Sequence, residues 1–230
     1  MPNIRLILED IINKIENLDY VFIKIRDDFP ALKSGEDIDI FTTQRKSIFD
    51  SILFVLKKEI LDSSLSVQIK NKKLKDVIIF KKDDKVLLKF EIYFSLSELK
   101  NLSVKESFIS NAVYQFNTKY INEKILYKIP NDIYECLIRY IDFSENFLHN
   151  PDKKRHLDYL EKLIKDKKVD EQEFSKKLYY FISFSNNNSF EKKNYILEKI
   201  NILVNIIKTI ISYYKNNGLI SLIKKIKSRF

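Results

Sequence analysis

The segment Asp37-Ile38-Asp39-Ile40-Phe41 alternates carboxylate and apolar side chains. A period of two is the mark of a half-buried strand. Residues two apart on a strand point to one face, so Asp37 and Asp39 stand side by side while Ile38 and Ile40 anchor the strand beneath. Two carboxylates this close repel each other, and a divalent cation between them resolves the repulsion. Chemistry of this kind uses a third acid from a neighbouring strand. Glu91 suits that place, because it interrupts the apolar run Leu87-Leu88-Lys89-Phe90-Glu91-Ile92. An acid facing a core there is costly without a partner. The competing reading pairs Glu91 with Lys89 on the face of the strand.

Periodicity places this strand in a larger layer. Apolar residues at helical spacing from Ile4 to Leu18 predict a helix over 3–18, and the same spacing from Ile48 to Ile60 predicts one over 45–61. The run Tyr20 to Ile25 is β-rich, and further strands are expected near 65–70, 74–81 and 85–94. The polar turn Lys81-Lys82-Asp83-Asp84 reads as a hairpin between the last two. The order helix, strand, strand, helix, strand, strand, strand predicts an α+β layer with a mixed sheet. A strand pair is expected around Ala112–Phe116 and Lys124–Ile129. From Pro130 onward helices dominate: 132–148 capped by Asn131 or Asp132, then 152–166, 171–184, 190–215 and 219–229. Two domains are therefore expected: an α/β domain over 1–129 and a helical domain over 130–230.

The 230 residues carry a formal charge of +9. From Glu191 to Phe230 there are nine Lys or Arg against two Glu, so the basic bias belongs to the tail. In 219–230, Leu219, Ile220, Leu222, Ile223, Ile226 and Phe230 alternate with Lys224, Lys225, Lys227 and Arg229. Such a helix serves as an interfacial membrane or nucleic-acid-facing tail, or docks on the 190–215 helix with its lysines in water. Docking is the favoured reading, because single amphipathic helices usually serve packing. No stretch of about 20 uncharged apolar residues occurs, so no membrane span is expected. One cysteine, Cys136, excludes an internal disulfide framework and a cysteine-built metal site, and reads as a small buried helix residue. A cytoplasmic protein is expected, with peripheral contact at the inner membrane face as the tail's other reading.

The arrangement helix, strand, loop, Ser34-Gly35-Glu36-Asp37-Ile38-Asp39-Ile40-Phe41, helix and later acidic strand resembles the nucleotidyltransferase superfamily. It looks closest to small bacterial members related to antibiotic nucleotidyltransferases and to those encoded among surface-polysaccharide genes. The resemblance covers about the first 95 residues well and the helices to about 166 loosely. It implies a nucleotidyltransferase-like sheet with flanking helices, followed by a C-terminal helical domain. It further implies Mg2+ or Mn2+ held by Asp37, Asp39 and Glu91. A nucleoside triphosphate would be the donor, and a hydroxyl or phosphate acceptor, such as a sugar or surface-polysaccharide precursor, would receive the group. Lys154 and Arg155, in His149-Asn150-Pro151-Asp152-Lys153-Lys154-Arg155-His156, match a basic helix start that faces nucleotide phosphates in related proteins, and Lys153 fits the same role. The chain departs from the family after the first strand, where a Gly-Ser pair is expected and Val21-Phe22-Ile23-Lys24-Ile25-Arg26 stands instead. Ser34 and Gly35 lie too near Asp37 to replace that pair by simple alignment, and Lys24 and Arg26 supply charge for phosphate. Two alternatives follow from the same features. One is a non-catalytic module of this kind binding an acidic polymer, a membrane or a protein partner. The other is an RNA-directed nucleotide-adding enzyme, which is less favoured and which salt-dependent RNA binding would separate from a small-molecule enzyme.

Overall fold

The computed structural model describes residues 3–26, 29, 30, 32, 35–60, 64–96, 99, 102–146, 150, 153–166 and 168–184. These fall in one compact unit, Met1–Ser183, with only Phe184 beyond it. The sequence readings for Ser34, His149, Pro151, Asp152 and everything from 185 onward, including the basic tail, lie outside the described residues.

The first helix, α1 (Ile4–Ile15), starts where Asn3 accepts hydrogen bonds from the amides of Arg5 and Leu6. Its Ile7, Leu8, Ile11, Ile12 and Ile15 are buried along one stripe. Two strands follow, β1 (Tyr20–Ile23) and β2 (Asp37–Thr42), and then α2 (Arg45–Glu59). An antiparallel meander comes next: β3 (Leu65–Asn71), β4 (Lys75–Lys82) and β5 (Lys85–Tyr93). Asp83 and Asp84 turn the β4–β5 hairpin with φ of 46° and 62°. Both values are left-handed, as a two-residue hairpin turn requires.

The five strands form one mixed sheet in the order β1-β2-β5-β4-β3. Only β2 and β5 run parallel. Alternation divides the sheet into two faces. Tyr20, Phe22, Ile38, Ile40, Ile78, Phe80, Leu88, Phe90 and Ile92 form one face and make a single core with the buried stripes of α1 and α2. Each buried side chain of this size contributes about 1.5–3 kcal/mol. The other face carries Asp37, Asp39 and Phe41 on β2 and Lys89, Glu91 and Tyr93 on β5.

The rest of the described chain packs against both faces, Tyr127 meeting Phe22 on the first and Phe108 meeting Phe41 on the second. It comprises β6 (Leu102–Val104), α3 (Ser107–Tyr114), β7 (Phe116–Ile121), β8 (Ile125–Pro130), α4 (Asp132–Asn146), α5 (Lys154–Lys165), α6 (Glu171–Phe181) and β9 (Ile182–Phe184). Phe41 meets Phe108 of α3, whose ring also packs on Tyr134 and Phe181. Asn131 caps α4 by accepting from the Tyr134 amide at 3.1 Å. Among the described residues the fold is α+β with a mixed sheet, and no helix is long and apolar enough to cross a membrane.

Two local expectations change. Ala112 lies in α3 and not in a strand, because Phe108, Ile109, Ala112 and Val113 are buried together at helical spacing. The first strand of that pair begins at Phe116. The third C-terminal helix stops at Phe181, and Ile182–Phe184 pairs with β6 as a two-stranded ribbon. Cys136 is buried on α4 as expected, and burial pushes its thiol up to about 12, which leaves it inert near neutral pH.

Candidate functional site

The parallel pairing of β2 and β5 sets the site. Its register matches Asp37 with Lys89, Asp39 with Glu91 and Phe41 with Tyr93. Asp39 and Glu91 are therefore neighbours on one face, although 52 residues separate Asp37 from Lys89 along the chain. Each carboxylate has a lysine. Lys89 Nζ lies 2.9 Å from Asp37 Oδ2 and 2.8 Å from Glu91 Oε1. Lys75, from β4, pairs with Glu91 Oε2, and the Tyr93 hydroxyl donates to the same oxygen at 2.7 Å. Lys24 pairs with Asp39. The geometry shows Glu91 paired with Lys89, and the register stands it beside Asp39.

A fourth carboxylate enters from α4. Asp142 lies 3.5 Å from Lys24 Nζ, 3.0 Å from Lys153 Nζ and 3.1 Å from His156 Nε2. Behind it, Arg139 pairs with Glu135 at 2.7 Å and meets His156 Nδ1 at 3.3 Å. The Lys24 amide donates to Glu135 Oε2 at 3.4 Å. Lys24 thus ties β2 to α4 across the site.

These contacts fix the charge states. Burial alone would raise the Glu91 pKa, but Lys75, Lys89 and Tyr93 hold it down at about 2. Burial also opposes the Asp142 charge, yet His156, Lys24 and Lys153 keep its carboxyl well below the usual range. Asp39 is the exception. Burial pushes its pKa up, Lys24 pulls it back only in part, and the Glu91 charge adds to the rise. Burial works against the Lys24 charge, and Asp39 and Asp142 overcome it, so its pKa is raised. Tyr93 is raised by burial and by the Asp39 and Glu91 charges, which keeps its hydroxyl protonated.

The cluster opens into a cleft of about 890 Å3 between the start of β2 and the helices α4 and α5. Asp37 stands at its mouth with its side chain 47% exposed, whereas that of Asp39 is 12% exposed. Arg26, Arg139, Lys153 and Arg155 give the cleft a cationic wall, and Ile25, Phe29 and Leu32 an apolar one. Lys153 and Arg155 line it. Lys154, the other residue expected at phosphate, is exposed at the start of α5 and is not part of the lining. Arg26 lines the cleft and pairs with Glu36.

Gly35 also lines the cleft, at φ 86°, and its amide donates to Leu87 O at 3.4 Å. A β-carbon there would meet only Val86 O, at an ordinary 3.8 Å. The demand for glycine is thus conformational. Gly35→Ala is expected to cost about 1–2 kcal/mol, and Gly35→Asn less, because asparagine tolerates the left-handed region. Urea denaturation of the two variants checks this order.

A divalent metal can be tested against these residues. Mg2+ and Mn2+ take hard oxygen donors, and Mg2+ is usually held by one or two carboxylates plus substrate phosphates. Asp37 and Glu91 each bring an oxygen within 2.9 Å of one point, the Lys89 ammonium. No group of three His, Cys, Asp or Glu among the described residues forms a preassembled metal cage. The carboxylate oxygens are donors of the right chemistry for such an ion, but without a three-ligand cage among the described residues a metal here would need further oxygens from a substrate phosphate.

Sequence reasoning missed Asp142, Lys75, Lys153 in its pairing with Asp142, and the burial of His156. No known protein family, curated protein or solved structure matches the chain.

Proposed function

We propose that this chain is a nucleotidyltransferase-like transferase. It would bind a nucleoside triphosphate in the cleft and move a nucleotidyl or phosphoryl-linked group to a hydroxyl or phosphate acceptor. The observation that supports this best is Asp37 and Asp39 side by side on one face of β2, lining a cleft whose far wall carries Arg139, Lys153 and Arg155, with Glu91 in register beside Asp39 on the sheet behind them. Acidic residues on a rigid sheet and basic residues across a gap are what in-line transfer between phosphate oxygens needs. Asp37 and Asp39 would hold Mg2+ or Mn2+, which when bound offsets phosphate charge and favours ionisation of the acceptor hydroxyl. Arg155 and Lys153 would take the phosphate oxygens, by charge and by N–H donation. Both Glu91 oxygens are already engaged by Lys75, Lys89 and Tyr93. Glu91 therefore holds the site in place, and Asp39 is the better acceptor for the hydroxyl proton.

One observation favours a second reading, polyanion binding without turnover. Four carboxylates, Asp37, Asp39, Glu91 and Asp142, are matched by four lysines, Lys24, Lys75, Lys89 and Lys153. Metal dependence separates the two. A thermal-shift panel of nucleoside triphosphates with and without Mg2+ or Mn2+ is expected to stabilise the native protein only when metal is present. At 100 times Kd the gain is about 2.7 kcal/mol. Asp37→Asn/Asp39→Asn should abolish it. Equal stabilisation of both proteins without metal would reject the transferase in favour of the binding module.

A further inference from the structure

Lys24 is the residue that neither the carboxylate strand nor the cationic wall accounts for. It follows β1 directly, at φ 57°, a left-handed conformation that costs a residue with a β-carbon about 1–2 kcal/mol. That backbone sends its side chain over the sheet, to Asp39 on β2 and Asp142 on α4. Its side chain is 20% exposed, so the ammonium is largely withdrawn from water. A strained turn that delivers a half-dehydrated cation to two acids from separate elements is the kind of feature that marks a working part of a site.

We propose that Lys24 is the resident cation of this site, and that divalent metal enters only together with a polyphosphate that draws Lys24 off Asp39. The proposal rests on the transferase reading above. The argument is one of charge. With four lysines against four carboxylates, the cluster is formally neutral before any ligand arrives. A bare divalent ion would add two positive charges beside Lys24 and Lys89, in a setting that screens them poorly. A metal–polyphosphate complex brings anionic oxygens along with the metal. Lys24 can then exchange a carboxylate for a phosphate, and Asp39 a lysine for the metal, with no buried charge left unpaired.

The test is equilibrium dialysis of Mn2+ against the full chain, counting metal retained on the protein side, with and without inorganic tripolyphosphate. Native protein should retain little Mn2+ alone and about one equivalent more with tripolyphosphate present. Lys24→Met should bind Mn2+ alone at least about tenfold more tightly than the native protein, equivalent to about 1.4 kcal/mol of relieved repulsion. Lys24→Arg should behave as native. Lys24→Gly removes the same charge and suits the left-handed backbone, so it carries the test if Lys24→Met is unstable. Native protein that binds Mn2+ alone as tightly as the Lys24 variants would overturn the proposal and leave the transferase reading standing. Retention of Mn2+ by no protein under either condition would overturn both.

Discussion

Glu91→Gln is expected to lower the unfolding free energy at pH 7 by about 3 kcal/mol and to leave almost no difference from the native protein by about pH 2. The carboxyl is held at about 2 in the folded chain, against 4.5 for a free glutamate. Each unit of difference is worth about 1.4 kcal/mol. The sign follows from linkage: a depressed folded-state pKa stabilises above the unfolded value and the gain is lost as pH falls through the folded one. The native protein should therefore lose this increment between about pH 4.5 and 2, and the variant should not. Chemical denaturation of both proteins across that window measures it. A constant gap from pH 7 to pH 2 would show that the Lys75 and Lys89 contacts do not hold Glu91 ionised. Asp142, kept low by His156, Lys24 and Lys153, adds acid sensitivity of the same sign to both proteins and cancels in the comparison.

Asp39→Asn should reduce donor turnover, read as release of the leaving phosphates, by about 10²–10³-fold. That is the loss seen when one charge-stabilising group is removed from a preorganised site. The amide keeps the shape and can still accept a hydrogen bond from Lys24, so far-ultraviolet circular dichroism and the thermal midpoint should change little. It cannot take a proton or offer a full negative charge to a metal. Unchanged turnover in a folded Asp39→Asn protein would remove Asp39 from the chemistry and with it the proposed function.

The layer that carries the site was legible in the sequence because its elements are strongly periodic. The stripes of α1 and α2, the alternation of β2 and the apolar runs of β4 and β5 each announce their element. Period-two reasoning put Asp37 and Asp39 on one face, and an acid in an apolar run pointed to Glu91. The partners were harder to read, because a long-range ion pair leaves no local pattern. Lys89 had a signal, lying two residues from Glu91 and so on its face. Asp142 had a weaker one: it follows the buried Ile138 and Ile141 and so shares their side of α4. His156 is buried because it reaches back to Asp142 across an interhelical contact, which spacing within α5 does not reveal. The ribbon of β6 and β9 joins residues about 80 apart, and three-residue strands are too short to show alternation. Ala112 was misplaced because Phe108 to Tyr114 is apolar enough to suit either element, and the buried spacing decides for the helix.

The parallel seam of the five-stranded sheet bears on how the chain folds. On one side β1 and β2 pair across the 13 residues of 24–36, and on the other β3, β4 and β5 form a meander of nearest neighbours. Both pieces can form from local contacts, whereas joining β2 to β5 closes a long loop and comes late. The carboxylates straddle that seam, so the site does not exist until the two pieces dock. A ligand bridging Asp39 and Glu91 would clasp them together. Amide exchange along β2 and β5 should then slow on ligand binding well before the outer strand β3 responds.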